Sequence, residues 1–269
     1  PAAETATAKC TNPLLRKEIR QLDDKEFATL ISAFRKMKEA TGPNSLDYLS
    51  HMHMDNAMAV HGNPTFLVWH RRYLRAFEEG LRAHEPTVTV PYWDWGVDAQ
   101  APEQSILFTE GYLGGNGRAG DHCVTNGPFA GWTMNVPNQH CLPRQFNNGD
   151  HITPFWPSEA LIRMQQTSNT YDELRRSIEN GCHGAVHLGI SGDMSTMQAP
   201  NDLYFFLHHC MIDKIYTEWQ SVNPGVRNFM YDGTDPTGRK VMIDDPLPAF
   251  NEHVKDVLDV RSPVNCYEY

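Results

Sequence analysis

The sequence has no excess of positive charge, no long apolar run, no Cys-x-x-Cys pair and no Asn-x-Ser/Thr sequon with a non-proline middle residue. Each absence removes a class of protein. With 23 Lys+Arg against 33 Asp+Glu, the formal charge is -10. That balance offers no footprint for nucleic-acid phosphates or for an anionic membrane surface. No apolar stretch approaches the roughly 18–20 residues that span a bilayer. The opening "PAAETATAKC" has neither the basic nor the apolar part of a signal peptide, so the chain reads as soluble and already processed. Without a Cys-x-x-Cys pair, a zinc ribbon or a thioredoxin-type redox motif is disfavoured. Without a sequon, N-glycosylation has no support. There is also no internal repeat of 20–50 residues and no low-complexity tract.

What is present points to one globular unit. Apolar residues make up 40% of 269, enough to bury a substantial core, so a single domain over 1–269 is expected. The six cysteines, Cys10, Cys123, Cys141, Cys182, Cys210 and Cys266, are an even count that suits disulfides and a secreted, extracellular setting. Fifteen full pairings are open at this point, and plain buried thiols remain the alternative.

The apolar periodicity is helical over much of the chain. In "DDKEFATLISAFRKMKEA", Phe27, Leu30, Ile31, Phe34 and Met37 recur at helical spacing until Thr41-Gly42-Pro43 stops the run. "SLDYLSHMHMDNAMAV" predicts a second helix ending near Gly62, and "PTFLVWHRRYLRAFEEGLRAHE" a third, with Pro64 in its first turn. Helical character returns in "SEALIRMQQ", in "TYDELRRSIENGCHGAVHLG" and in "DLYFFLHHCMIDKIYTEWQSV", before a tail with a few strand-like residues. Between them, residues 96–157 are rich in Gly, Pro and Asn with aromatics interleaved, which predicts long ordered loops that could roof a site.

The histidines carry the chemistry. In "HGNPTFLVWHRRYLRAFE", His61 and His70 are nine apart and would face opposite sides of one straight helix. Gly62-Asn63-Pro64 breaks that helix, so His61 can sit in the loop before the helix that carries His70, and the two can converge. Upstream, His51 and His53 are two apart, so only one can join them. Far downstream, "CHGAVHLG" places His183 and His187 one turn apart on one face, and "FFLHHCMID" adds His208 and His209. Asp213, one turn beyond His209, is placed to accept the second ring N–H of a ligand histidine. Any one fragment reads equally as surface or core histidine, and Met52, Met54, Met58, Phe205 and Phe206 read as core. Together they make two three-imidazole sets. Three neutral imidazoles per ion, without thiolate or carboxylate, fit copper and leave a position open for oxygen.

With those motifs in view, the sequence resembles the type 3 copper proteins: tyrosinases, catechol oxidases and hemocyanins. "HGNPTFLVWHRRYLRAFE" meets the family's first-copper signature throughout. "DLYFFLHHCMID" meets the second, except that Leu203 stands where the family usually has Pro. "PYWDW" and the glycine and methionine of "HLGISGDM" are also similar to the family, and the resemblance is closest to short fungal polyphenol oxidases. It implies a mainly α fold, a four-helix bundle around a binuclear copper site with long ordered loops and a few short strands. It implies His53, His61 and His70 as ligands of one copper ion, with His51 as the fallback for His53. His183, His187 and His209 are implied as ligands of the other, leaving His208 and Asp213 packed behind the ligands.

Further implications follow from the same resemblance. "NCYEY" is similar to the Tyr-x-Tyr motif that closes the family's catalytic domain, and Arg16 to the arginine that stacks near it. No shielding domain follows it in this sequence, which implies a short or matured, active form. Cys10–Cys266, Cys123–Cys141 and Cys182–Cys210 are the implied disulfides. Ala59 stands two before His61, so no Cys–His thioether is expected through that position. The implied reaction is oxidation of small o-diphenols to o-quinones with reduction of O2 to water. In the family, hydroxylation of monophenols is associated with a water held by a glutamate and an asparagine. Glu179 resembles that glutamate, its other reading being a solvated carboxylate at a helix end. Gly184 stands where the asparagine would be, so monophenol hydroxylation is expected to be weak or absent. Leu188 reads as an apolar wall for substrates without a carboxylate. Thr196, or alternatively Met197, takes the place of the gate over the first copper. The alternatives are a true tyrosinase with substantial monophenolase activity, a hemocyanin-like oxygen carrier, and a structural or scavenging copper protein.

Overall fold

The computed structural model describes residues 10–269. Ten α-helices and four very short strands are present among them. The helices are α1 (Asp24–Glu39), α2 (Leu46–Asp55), α3 (Ala57–Val60), α4 (Thr65–His84), α5 (Ser158–Thr167), α6 (Tyr171–Ser177), α7 (Gly184–Ile190), α8 (Leu203–Ser221), α9 (Pro224–Arg227) and α10 (Val254–Val257). The strands are β1 (Leu14–Leu15), β2 (Thr133–Met134), β3 (His140–Cys141) and β4 (Tyr267–Glu268). β1 pairs parallel with β4, and β2 antiparallel with β3.

The bundle is built on α4 against α8, with α1 against α4 and α2; α2 joins through Tyr73 of α4, whose hydroxyl donates to the Leu49 carbonyl, and α7 through His187 beside Phe205 of α8. α1 starts on a capping box, Asp23 accepting from the Glu26 N–H while Glu26 accepts from that of Asp23. α4 buries Phe66, Trp69, Tyr73, Leu74, Phe77 and Leu81 along one side, the spacing of a core-facing stripe. α8 is apolar nearly all round and buried nearly all round, from Leu203 to Ile215. Phe77 of α4 stacks on Phe206 of α8 at 3.5 Å between ring centres, and Tyr73 stacks on the same ring at 6.0 Å.

Two departures from periodicity matter for the site. The expected second helix is broken at Asn56, which has φ -100° and ψ 3° and donates its side-chain amide to the Met52 carbonyl. The break lets α3 swing away and deliver His61 to a loop. The run "TYDELRRSIENGCHGAVHLG", expected to be helical, contains a π-helical turn at Ile178–His183 between α6 and α7. Such wide turns are frequent at functional sites. A Cβ on Gly181 would lie 2.7 Å from the Trp156 ring, so only glycine allows that approach.

The ends of the described chain are tied together. Arg16 stacks on Tyr267 with its guanidinium carbon 3.5 Å from the ring centre, and Cys10 is bonded to Cys266. Cys123 is bonded to Cys141. The third implied pair is corrected: Cys182 and Cys210 are both free, buried thiols. Each adjoins a candidate ligand, but successive helical residues diverge by about 100°, so adjacency to ligands of one group does not turn the two thiols toward each other. Burial pushes the Cys182 thiol up to about 12 and raises that of Cys210 further, so both are inert.

Candidate metal centre

Two groups of histidines converge in the bundle. His53 from α2, His61 from the loop after α3 and His70 from α4 form one; His183 from the π-turn, His187 from α7, and His208 and His209 from α8 form the other. Within each group the nearest ring nitrogens lie within 4.8 Å of one another. The groups adjoin: the rings of His70 and His209 stack at 4.4 Å, and His61 lies 6.5 Å from His183. His51 is exposed and belongs to neither group.

The tautomers follow from the hydrogen bonds. Nδ1 of His53 faces the Met197 carbonyl at 2.7 Å, that of His61 faces Ala57 at 3.0 Å, and that of His70 faces Phe66 at 2.8 Å. Nδ1 of His183 faces the Glu179 carbonyl at 3.2 Å, and that of His187 faces Met194. A carbonyl oxygen only accepts, so each of these five rings carries its proton on Nδ1 and presents a bare lone pair at Nε2. Fixing one ring nitrogen so that the other is free is how proteins orient imidazole ligands.

Electrostatics point the same way. Burial lowers His53 to about 3 and His187 to about 4, and lowers His61, His70, His183 and His209 from the ordinary value as well. The rings are therefore neutral at ordinary pH. Yet Nε2 of His53 and Nε2 of His70 lie 3.5 Å apart, lone pair toward lone pair, while Nε2 of His187 lies 3.2 Å from that of His209, whose Nδ1 has no acceptor to fix its tautomer. Nε2 of His183 has no partner. Buried acceptors that face one another without a donor are costly unless a cation joins them. Among the described residues neither group includes a carboxylate or thiolate. All-imidazole sets suit copper or zinc, and the residues present fit a pair of such ions.

The other expected residues fall as follows. Glu179 is 9% exposed, not a solvated helix-end carboxylate. It accepts from the Gly62 N–H at 2.5 Å and from Arg175 at 3.0 Å, linking the π-turn to the loop that carries His61. Burial raises its carboxyl above the usual range, while Gly62 and Arg175 pull it back. Gly184 opens α7, and a Cβ there would meet nothing nearer than the Glu179 carbonyl at 3.8 Å. Leu188 is 60% exposed beside His187. Thr196 is half-buried with its hydroxyl on the Asp193 carbonyl, whereas the Met197 side chain is 45% exposed and its carbonyl holds His53. His208 is buried between Trp95 and His183 with both ring nitrogens unpartnered.

The expectation for Asp213 is corrected. Its carboxylate does not reach a histidine, and Nδ1 of His209 has no partner. It accepts instead from Arg71 at 2.6 Å, from Tyr269 at 2.7 Å and from the Tyr267 hydroxyl. A buried guanidinium and two phenols are stronger donors to a carboxylate than a neutral ring N–H. The sequence reading also missed the Met194 and Met197 carbonyls and the Phe205 ring, which lies 4.2 Å from that of His209. Backbone acceptors leave no mark in a sequence.

Comparison with known proteins agrees with this geometry. The common central domain of tyrosinase matches residues 43–222. The tyrosinase-like protein phomQ2 of Diaporthe leptostromiformis is 33% identical over 99% of this chain and 75% of its own length. Grixazone synthase of Streptomyces griseus is 32% identical over 84% of this chain and 86% of its own. Among solved structures, a glycine-to-asparagine variant of polyphenol oxidase from Thermothelomyces thermophila superposes with a TM-score of 0.82. At 21% identity it covers 96% of this chain and 88% of that one, a likeness of fold.

Proposed function

The chain belongs to the tyrosinase family, and from that premise we propose that it is a secreted oxidase of small o-diphenols, forming o-quinones with little hydroxylation of monophenols. Proteins of this family bind a binuclear copper centre. The observation that carries the reading is the pair of neutral histidine groups whose bare Nε2 atoms converge with no carboxylate among them. We assign His53, His61 and His70 to one copper ion, and His183, His187 and His209 to the other. A bound copper pair would supply the redox chemistry, by which two diphenols, each giving up two electrons and two protons, would reduce one O2 to two waters.

The protein supplies the surroundings. The Nδ1 contacts fix five of the six imidazoles before any metal arrives, so little is lost in ordering them. Phe205 packs on His53 and His209, and Phe66 on His70 and His183, which keeps water from the ligand rings. Leu188, exposed next to His187, offers apolar contact to an aromatic ring and no cation for a substrate carboxylate. Glu179 is the nearest candidate for holding a phenol's proton, but both its oxygens are engaged, by Gly62 and by Arg175. With Gly184 in place of a side-chain amide, no second group supports it. A diphenol gives up its protons more readily than a monophenol, so the arrangement favours diphenols. The two disulfides support secretion. No described helix is long and apolar enough to cross a membrane.

Oxygen uptake by the copper-loaded chain, given a catechol or its matching monophenol, tests the reading. Rapid uptake with the catechol at two coppers per chain, and slow uptake with the monophenol, is expected. Comparable uptake with both makes this a tyrosinase; reversible oxygen binding that catechol does not discharge makes it a carrier.

A further inference from the structure

One short segment touches both histidine groups. The turn at Gly192–Ser195 and the two residues after it supply the Met194 carbonyl to His187 and the Met197 carbonyl to His53. These carbonyls belong to residues three apart, yet the rings they hold belong to different groups. A shift of this segment would therefore release one imidazole of each group at once.

The segment is held in place by a buried carboxylate. Asp193 is 3% exposed, and its Oδ2 accepts from Nδ2 of Asn201 at 2.8 Å and from Nε2 of His140 at 2.9 Å. The other ring nitrogen of His140 faces the Asn138 carbonyl at 2.7 Å. Both ring nitrogens thus face acceptors, an arrangement that favours the doubly protonated ring and its pairing with Asp193. Asn201, fully buried, also donates to the Val136 carbonyl at 2.8 Å and accepts from the Ser50 hydroxyl at 3.0 Å. Ser50 lies on α2, three residues before His53. The contacts close a ring: α2 to Asn201, Asn201 to Asp193, the segment to His53, and His53 back to α2.

The entry to the segment is strained, so it needs holding. Ser191 has φ 53° and ψ -155°, a region that non-glycine residues avoid. Gly192 follows at φ +62°, where a Cβ would lie 2.2 Å from the Pro143 carbonyl oxygen.

We propose that Asp193 is a positioning residue that couples the two halves of the metal centre, by seating the turn whose carbonyls orient His187 and His53. The inference rests on the assignment of those histidines to two copper ions. Orienting partners behind ligand histidines typically contribute about 10–100-fold to metal affinity. Here one substitution acts on both ions.

The test is chelator competition on the full, copper-loaded chain, resolving the two copper equivalents, with melting of the apo-protein in parallel. Two coppers on the unmodified chain are expected; fewer would overturn the functional reading and this inference together. Asp193→Ala is expected to weaken both equivalents about 10–100-fold, beyond what loss of folded protein explains. Two coppers held at unmodified affinity by the folded variant would overturn the inference and leave the functional reading standing, as would weakening of one equivalent alone. If Asp193→Ala does not fold, His140→Ala removes the same pair from its partly exposed side, with both equivalents again expected to weaken together and unmodified affinity again the refuting result.

Discussion

Replacing Asp213 with alanine removes the acceptor at the centre of a buried polar web. The carboxylate takes Arg71 at 2.6 Å, Tyr269 at 2.7 Å and the Tyr267 hydroxyl, and Arg16 lies 3.7 Å away. Arg16, Arg71 and Tyr267 are all fully buried. Arg16 retains Glu78, and Arg71 retains Gln220, Thr217 and the Leu258 carbonyl, so neither guanidinium is stranded completely. Breaking a buried pair by removing one partner costs about 3–5 kcal/mol. An unfolding entropy of about 2 cal/mol/K per residue gives a chain of this length a shift of about 2 °C per kcal/mol. The expected fall in Tm is therefore about 6–10 °C, read by calorimetry on the apo-protein. Because Asp213 touches no histidine, catechol oxidation per folded, copper-loaded molecule is expected to stay within about threefold, an effect worth under 1 kcal/mol. A Tm change below about 2 °C would refute the energetic reading of the web. Loss of activity without loss of stability would show that the carboxylate acts on His209 after all.

Three further outcomes are expected. The unfolded chain takes up protons on its histidines below about pH 6.5, but burial holds His53 at about 3 and His187 at about 4 in the folded state. Stability is therefore fully present above 6.5 and is lost as pH falls toward 4; apo-protein Tm measured across that range should drop, and a flat profile would contradict the burial argument. A Cβ at Gly184 would meet the Glu179 carbonyl no nearer than 3.8 Å; in Gly184→Asn the monophenol-to-diphenol rate ratio should rise at least about tenfold, and an unchanged ratio removes the role given to this position. Thiol titration should find no reactive cysteine in the native protein and two, Cys182 and Cys210, after denaturation without reductant; none after denaturation would restore the third disulfide.

Much of this was legible in the sequence because the converging histidines sit where regular structure puts them. The proline after Gly62-Asn63 announced both the start of α4 and the turn that frees His61, and His183 and His187 are one helical turn apart in sequence and in space. Spacing alone did not separate His53 from His51, since either side of α2 was available to face the core; the resemblance favoured His53, and it is His53 that is buried. The π-turn was not legible, because a wide turn has no period of its own; only Gly181, needed where Trp156 approaches, marks it. Asp213 stood at the right offset from His209, but Arg71 reaches it from α4, a contact invisible until the helices pack. The cysteines next to His183 and His209 invited a bond that helical geometry does not make.

The measurement that bears most directly on the central claim is anomalous diffraction at the copper edge from copper-loaded crystals. Two peaks are expected, one among the Nε2 atoms of His53, His61 and His70 and one among those of His183, His187 and His209. A single peak, or a second ion centred on His208, would contradict the account.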